Sequence, residues 1–396
     1  MRKWEMVRLG DVCDVRDGTH DSPKYTRDGY PLVTSKNVTN GFLDFSNVNY
    51  ISKEDFDNIN RRSKVDLGDI IMPMIGTIGK PIIIRNIDKP FAIKNVALIK
   101  FYNSLVYNHY IKYILESPSF FHYNLKSSRG GTQKFLSLND IRSFYLPLPP
   151  IIVQQKIADI LDYINVLIEK RKIQINKLDL LVKSQFIEMF GDPVTNPMRW
   201  EKKQLSELII HANNGMSRRG NDDTGNIVLR LVELQDGFIN YENPNRINLD
   251  EAEKSRYLLH EGDFLFARVN GNPDNVGRCA VFSDIGEPVY HNDHIIRVRY
   301  DSNRLNCVFA SELLNSPYGK AEMKNKIKTS AGQYTINQAG IGAINVPLLP
   351  LPLQNRFADF VRAEDKSKSE MQQGLAKMEL LYKSLMQKCF NGEIIN

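Results

Sequence analysis

Hydrophobic and polar positions follow two different patterns along the chain, and the succession of the two patterns occurs twice. Residues 1–150 contain short apolar runs separated by Gly, Pro, Asn and Asp, which is typical of strands joined by turns. After a proline-rich stop at 146–150, residues 152–190 lack Pro and Gly, and apolar residues recur every three or four positions. The same order returns in 193–350 and 351–396. We therefore predict two units, each a mixed head followed by a long helix.

The short apolar runs predict the strands of each head. A helical pattern lies between the last predicted strand and the proline stop, at 107–125 in the first head and 308–327 in the second. The fold class that these elements predict is α+β: two mixed α/β heads with mostly antiparallel strands, separated by two long helices. The predicted strands are 69–72, 81–84 and 97–101 in the first head and 263–267, 279–282 and 295–300 in the second.

An ordered series of matching residues relates the two halves of the chain. Trp4-Glu5 recurs as Trp200-Glu201, and the segment 41–45 recurs as 237–241. Chance could supply one such match but not the series, so we interpret the chain as an internal duplication. The two Trp residues are predicted to be packing anchors. Further matches are Gly68-Asp69 with Gly262-Asp263, Ser117-Pro118 with Ser316-Pro317, Gln133 with Gln333, Gln154 with Gln354, and Phe190 with Phe390.

The apolar positions of the two helices fit a heptad seam, which a small head cannot bury alone over a length of about 57 Å. The other copy of the helix is the obvious partner, and two tandem copies pair most simply as antiparallel helices about a pseudo-twofold axis. A helical scaffold that separates two unrelated binding modules is the alternative. The predicted helix-pairing residues are Ile157, Leu161, Ile164, Ile168, Ile175, Leu178 and Val182 in the first helix, and Phe357, Val361, Met371, Leu375, Met378, Tyr382 and Leu385 in the second.

Composition excludes few classes of function. With 42% hydrophobic and 25% charged residues, the chain resembles a soluble globular protein, and it has no apolar run long enough to cross a membrane. The polar N-terminus predicts no signal peptide, so we expect a cytoplasmic protein. The net charge of +6 is held by residues 1–150, which is compatible with nucleic acid but equally with many enzymes. The four cysteines lie too far apart in sequence to suggest a zinc site or a disulfide framework.

Motifs for catalysis are missing from the sequence. We find no phosphate-binding loop, no dinucleotide-binding glycine pattern, no amino-methyltransferase tetrapeptide and no nuclease-like group of carboxylates with a lysine. His291 and His294 form the single tight histidine pair, for which a polar strand edge or loop is a simpler interpretation than a metal site. We therefore predict no catalytic residues, no metal site and no cofactor on this chain.

The loops of both heads are rich in side chains that can read bases. Arg and Lys can bond to guanine and Asn and Gln to adenine, although loops are also polar for solubility. The Gly- and Gln-containing loop that recurs in both heads favours function. The candidate DNA-binding residues are Arg16, Thr19, His20, Lys24, Ser35, Lys36, Asn37, Thr77, Lys80, Lys94, Arg129, Thr132, Gln133 and Lys134 in the first head, and Ser217, Arg218, Arg219, Arg230, Arg268, Asn270, Arg278, Asn292, Lys328, Gln333 and Tyr334 in the second.

The whole chain resembles the specificity (S) subunits of type I restriction-modification systems. The resemblance rests on the two Trp-Glu-x-x-x-Leu openings, the Gly-Asp strands at 68–71 and 262–265, the proline stops and the Gln-x-x-x-Ala-Asp helix starts. It implies target recognition domains at 1–150 and 193–350, with conserved helical regions at 151–192 and 351–396. Each head would read one half of a bipartite DNA site, and the helices would set the spacer.

The resemblance also implies partners. Two modification (methyltransferase) subunits that use S-adenosylmethionine would dock along the helices, and restriction subunits that use ATP and magnesium would join them, with no membrane involved. This chain would be a non-catalytic subunit that supplies the DNA address. Two rival hypotheses are a solitary two-headed DNA-binding repressor or scaffold without methyltransferase partners, and a self-contained enzyme.

Overall fold

The computed structural model describes residues 4–39, 41–75, 80–102, 105–127, 135–222, 224–330 and 332–394. The chain forms two compact units. The first unit contains Met1–Gln174 and Met371–Asn396, and the second contains Ile175–Glu370. Each unit thus combines one head with a segment of each long helix.

The main sheet of the first unit is antiparallel, with its most apolar strand in the interior. Ala97 and Ile99 of that strand lie in a core that includes residues of both long helices, whereas Val96 and Leu98 face a second core within the head. All five residues of the strand are buried because both faces of the sheet are covered. The strand order is Asp14–Asp17, Val96–Lys100, Ile70–Pro73, Ile82–Ile83.

A second sheet and several short helices complete the first head. The second sheet runs Ala92–Ile93, Tyr30–Val33, Asn49–Ile51, Tyr25–Thr26, and its first pair of strands is parallel. Met6–Arg8 pairs with Tyr145–Pro147, and Val38–Thr39 pairs with Phe42–Leu43. The helices are Leu9–Val12, Lys53–Ser63, Asn108–Glu116, Pro118–Ser127 and Leu138–Ser143, with a 3₁₀ turn at Ser35–Asn37.

The second unit repeats this architecture. Its main sheet runs Ile209–Asn214, Ile295–Tyr300, Phe264–Ala267, Cys279–Val281, and a second sheet runs Arg246–Ile247, Asn226–Leu229, Val289–His291. Lys202–Gln204 pairs with Asn345–Pro347, and a third small sheet runs Val269–Asn270, Gln333–Thr335, Lys328–Ser330. The helices are Glu251–Tyr257, Cys307–Asn315, Pro317–Lys324 and Gln338–Gly342, with 3₁₀ turns at Leu205–Glu207 and Pro273–Asn275.

The predicted α+β fold of two related heads and two long helices is confirmed. The structure differs from the prediction in one respect: the helical stretches predicted at 107–125 and 308–327 each consist of two helices. The break falls at Ser117-Pro118 in the first head and at Ser316-Pro317 in the second. Proline has no N–H to continue the helix, and the preceding serine hydroxyl accepts a hydrogen bond from the next helix's third N–H instead.

The two long helices are Ile151–Phe190 and Leu351–Phe390. The carbonyls of Pro150 and Pro350 accept the first helical hydrogen bonds, since a proline suits the start of a helix. Gly191 ends the first long helix in the left-handed region, with φ of 76°.

In the first unit, the helix segments pack antiparallel. Ile157 and Leu161, near the start of the first long helix, share a buried core with Met386 and Cys389, near the end of the second. Farther along the first helix, Lys172 pairs with Glu379 at 3.4 Å. Rising numbers in one helix thus meet falling numbers in the other.

The second unit shows the same antiparallel order. Asp179 accepts a hydrogen bond from Lys368, and farther along the first helix Phe186 makes an edge contact with Phe357, their ring centres 5.4 Å apart. Half of the predicted helix-pairing residues are buried, and the other half are partly buried. The buried ones are Ile157, Leu161, Ile168, Ile175, Val182, Phe357 and Val361; the partly buried ones are Ile164, Leu178, Met371, Leu375, Met378, Tyr382 and Leu385.

The recurring Gln-x-x-x-Ala-Asp motif ties each long helix to its head. Gln154 is fully buried, and its amide accepts a hydrogen bond from the Tyr107 N–H at 2.8 Å while donating to the Leu105 and Pro149 carbonyls. Gln354 makes the corresponding bonds in the second unit, accepting from the Asn306 N–H at 2.9 Å. The glutamine therefore satisfies the loop backbone where head and helix join.

Candidate nucleic-acid interface

In the second head, two candidate loops lie side by side. Met216 forms a parallel bridge with Asn292, and its N–H donates to the His291 carbonyl at 3.1 Å. Gly215 makes this approach possible, because a Cβ at that position would lie 2.2 Å from the His291 carbonyl oxygen. The segments 215–219 and 291–294, far apart in sequence, thus form one surface.

Arginine side chains extend this surface to the neighbouring loops. Arg219 binds Asp293 at 2.7 Å and lies 3.0 Å from the His294 ring nitrogen. Arg268 donates to the Asp293 carbonyl at 3.1 Å, and the His294 carbonyl accepts from the Arg268 N–H. The loop after the strand Phe264–Ala267 is thereby joined to the first two segments.

The third small sheet completes the surface. Asn270 pairs with Tyr334, and Lys328 pairs with Thr335, so that residues 328–330 and 333–335 form an antiparallel ribbon beside 269–270. Buried Ile336 anchors the ribbon by donating to the Arg268 carbonyl. We call the described residues of 215–219, 268–272, 291–294 and 328–335 the second-head polar face.

The first head has a corresponding arrangement. Thr19 forms a parallel bridge with Lys94, and a Cβ on Gly18 would lie 2.2 Å from the Ile93 carbonyl oxygen. Ile75 and Phe135 are paired at the ends of the other two candidate loops, at the place that Val269 and Thr335 occupy in the second head. We call residues 18–24 and 94–95 the first-head polar face.

Charge on the first-head polar face is arranged around one buried carboxylate. Asp17 accepts from His20 at 2.6 Å and also binds Arg62, while the other ring nitrogen of His20 lies 2.8 Å from Asn95. Lys94 donates to the Ser22 hydroxyl at 2.9 Å. These bonds hold His20 and Lys94 at the surface in defined positions.

The two histidines of the second-head polar face, His291 and His294, have different environments. His291 is fully buried, and burial lowers its pKa to about 4, so its ring is neutral near pH 7. Burial and then the nearby Arg219 lower the pKa of His294. Among the described residues, no group of three or more His, Cys, Asp or Glu side chains could hold a metal ion.

Several predicted contact residues are engaged inside their own head. Asn37 is buried and bonds to Thr34, Asp44 and Asn47, so the 3₁₀ turn uses its whole amide. Arg230 pairs with buried Glu233 at 2.6 Å. Five of the predicted residues are therefore unsuited to base contact as they stand. They are Asn37, Arg230, Arg278 (bonded to Asp236, Gln235 and Asn275), Asn292 (buried) and Tyr334 (packed against the core).

The remaining predicted residues fall into three groups. Arg16 bonds to Asp14 and to the Arg62 carbonyl, Arg218 to Glu253 and the Asn248 carbonyl, and Ser35 is partly buried. Within the described part of the chain, the side chains of six are exposed and bonded to no other group: Lys24, Lys36, Lys80, Ser217, Lys328 and Gln333. Thr77, Arg129, Thr132, Gln133 and Lys134 lie outside the described residues.

Sequence reasoning missed four residues in or beside these faces: Asp17, Arg62, Asp293 and His294. Their role depends on pairing with residues distant in sequence, as in the contact of Asp293 with Arg219. The His-x-x-His spacing drew attention to residues 291–294, where the structure shows His291 buried and His294 beside Arg219.

Known proteins match the chain over its whole length. The model of the type I restriction modification DNA specificity domain matches residues 1–177. The StySPI specificity subunit of Salmonella potsdam is 27% identical, over 93% of this chain and 84% of that protein. The EcoKI specificity subunit of Escherichia coli (strain K12) is 24% identical, over 99% and 89%.

Residues 1–177 match the type I DNA specificity domain, and nearly the whole chain is similar to type I specificity subunits. Specificity subunits are non-catalytic recognition components, in agreement with the sequence prediction. The fold agrees as well. The S subunit of M. genitalium superposes with a TM-score of 0.56 at 15% identity, covering 98% of this chain and 96% of that one. A chain from a study of type I R-M complex assembly gives 0.61 at 16% identity, covering 100% and 99%. None of the helices in the described residues is long and apolar enough to span a membrane.

Proposed function

We propose that each head of this specificity subunit reads one half of a bipartite DNA site through its polar face. The supporting observation is that both heads join the same two loops by the same parallel bridge, Thr19 with Lys94 and Met216 with Asn292. The side chains on the two faces differ, so the two half-sites should differ in sequence. Exposed lysines such as Lys24 and Lys328 would contact phosphates, which position the protein on the duplex.

We propose that the long helices set the spacer between the half-sites. Both are continuous over 40 residues, and each contributes packing to both units. Inserting one helical turn in each helix, about 5.4 Å, should lengthen the preferred spacer by one or two base pairs. A methylation-site map with an unchanged spacer would contradict this proposal.

The helices also carry a candidate docking surface for two modification subunits. Leu180 and Leu181 on the first helix are exposed, and so are their counterparts Leu380 and Leu381 on the second. Exposed leucines at the same place in both copies favour two copies of one partner. The modification subunits would bind S-adenosylmethionine, and the restriction subunits would bind ATP and magnesium.

Two measurements test the proposal. Co-purification from cells should yield two modification subunits for each copy of this chain; a chain that binds DNA without them would favour a repressor or scaffold. Mapping of modified adenines in cells that carry the system should then show a bipartite site. Exchange of residues 193–350 for those of a relative should change one half-site and leave the other intact.

A further inference from the structure

The antiparallel ribbon of the second head is a candidate for insertion into a DNA groove. Its two strands, Lys328–Ser330 and Gln333–Thr335, pair in antiparallel register, and Gly332 next to the second strand has φ of 78°. The major groove of DNA admits a two-stranded ribbon of this kind. Ile336, which is buried, and the strand Val269–Asn270 fix the other end of the ribbon to the head.

Some side chains of the second-head polar face already form hydrogen bonds or packing contacts within the head, and others do not. Arg219 and Arg268 bond to Asp293 or its backbone, and the Asn270 side chain accepts from the Asn272 N–H. Tyr334 packs against the core. A base that used the bonded atoms of these groups would have to displace contacts within the head.

Gln333 is the exception among the amides. It is exposed, and its side chain has no hydrogen-bond partner among the described residues. It faces Ser330 in the last residue pair of the ribbon. Lys328 and Ser217 are also exposed and unoccupied, but neither has the adjacent donor and acceptor with which an amide pairs with the adenine edge.

We infer that Gln333 is a base-reading residue of the second head and specifies an adenine from the major groove. The inference rests on the proposed function and adds to it the residue, the base and the groove. Gln133 stands at the matching sequence position of the first head, outside the described residues.

The test is selection from a randomised duplex DNA library by the full-length chain purified with its co-expressed modification subunits. The wild-type complex should enrich a bipartite site. Gln333→Ala should lower the preference for adenine at one position of one half-site by roughly 5- to 100-fold and leave the other half-site unchanged. Gln333→Glu should move the preference at that position toward cytosine, whose amino group a carboxylate accepts.

Matched variants separate base reading from other effects. Lys328→Ala should weaken binding to all sequences and lower the salt dependence by about one phosphate contact, without changing the enriched site. Gln155 is an exposed amide on the first long helix, and Gln155→Ala should change neither the affinity for DNA nor the enriched site. Equal melting temperatures would show that the variants fold.

The outcomes are distinct. An unchanged site with Gln333→Ala, or relaxation at a position that is not adenine, overturns the inference and leaves the proposed function intact. A wild-type complex that enriches no bipartite site overturns the proposed function, and the inference falls with it.

Discussion

Lys368 in the second long helix donates a hydrogen bond of 2.5 Å to Asp179 in the first. The pair belongs to a charged cluster at the junction of the second head and its helices, beside Glu312. Burial raises the pKa of Glu312 to about 7; Asp365 and Asp179 add to the rise, and Lys183 and Lys368 oppose it.

This cluster predicts a pH dependence of stability. Because the folded-state pKa of Glu312 is above its ordinary value of 4.5, the folded chain binds more protons than the unfolded chain between about pH 4.5 and 7. Its contribution to stability therefore falls as the pH rises through this range. Glu312→Gln should stabilise the second unit relative to wild type above pH 7, with a difference that shrinks toward pH 4.5. Melting curves from pH 5 to 8 measure it, with Glu188→Gln, an exposed carboxyl, as control; parallel curves for Glu312→Gln and wild type would refute the prediction.

Truncation of the helix seam should destabilise the protein. Phe357 is fully buried against Phe186, Phe190 and Phe309, and Phe357→Ala should cost about 3–5 kcal/mol of unfolding free energy. Leu380→Ala, at a side chain that is 71% exposed, should change it by less than about 0.5 kcal/mol. Urea unfolding measures the free energy of unfolding of both variants. Similar losses of stability in the two would contradict the packing described.

The buried ion pair of the first head explains the aspartate in its Gly-Asp motif. Lys100 lies 2.5 Å from Asp69, and both are buried; Arg299 and Asp263 form the counterpart in the second head. Asp69→Asn would leave the ammonium group poorly compensated and should cost about 3 kcal/mol. Asp66→Asn, at a half-exposed carboxylate on the same lysine, should cost clearly less. Denaturant titrations that rank the two variants the other way would argue against this assignment.

The exposed leucine pairs should control partner stoichiometry. Replacing Leu380 and Leu381 with serine should leave melting unchanged but remove one of two bound modification subunits, since the equivalent pair remains. Replacing Leu180 and Leu181 as well should remove both. Native mass spectrometry counts the subunits, and two bound copies on the fourfold variant would exclude this docking surface.

A glycine beneath each polar face should be needed for DNA binding. Gly215→Ala would place a Cβ 2.2 Å from a backbone oxygen and force the loops 215–219 and 291–294 apart. We expect loss of recognition of one half-site together with lower stability. Gly220→Ala lies outside the polar face, and its Cβ would meet only side-chain atoms of Ile247 at 3.6 Å or more, so it is the matched control. Binding of half-site duplexes by the two variants provides the comparison, and equal affinities would contradict the role of Gly215.

The fold was largely predictable because its signals are local. The seam residues of the long helices recur at helical spacing, and buried strands such as Val96–Lys100 stand out as apolar runs between turn residues. The duplication strengthened the prediction of the weaker strands, since each weak strand signal has a counterpart in the other half of the chain.

The polar faces were only partly predictable because strand pairing between distant segments builds them. Loop composition identified Arg219 and Gln333, but nothing local shows that Arg219 is occupied by Asp293 and Gln333 is not. For the same reason, loop composition predicts DNA contacts for Asn37 and Arg230, whose side chains bond within their own head to the Asp44 carbonyl and to Glu233.

The first unit is discontinuous in the chain, since Met371–Asn396 follows the whole of the second unit. During translation, the first head therefore emerges long before Met386 and Cys389, which fill its core against the first long helix. The second unit is complete in one uninterrupted segment and can fold first. A nonsense mutation near residue 371 would therefore remove part of the first unit and leave the second unit complete. We expect a cellular protease to degrade the first head of such a truncated chain before the second.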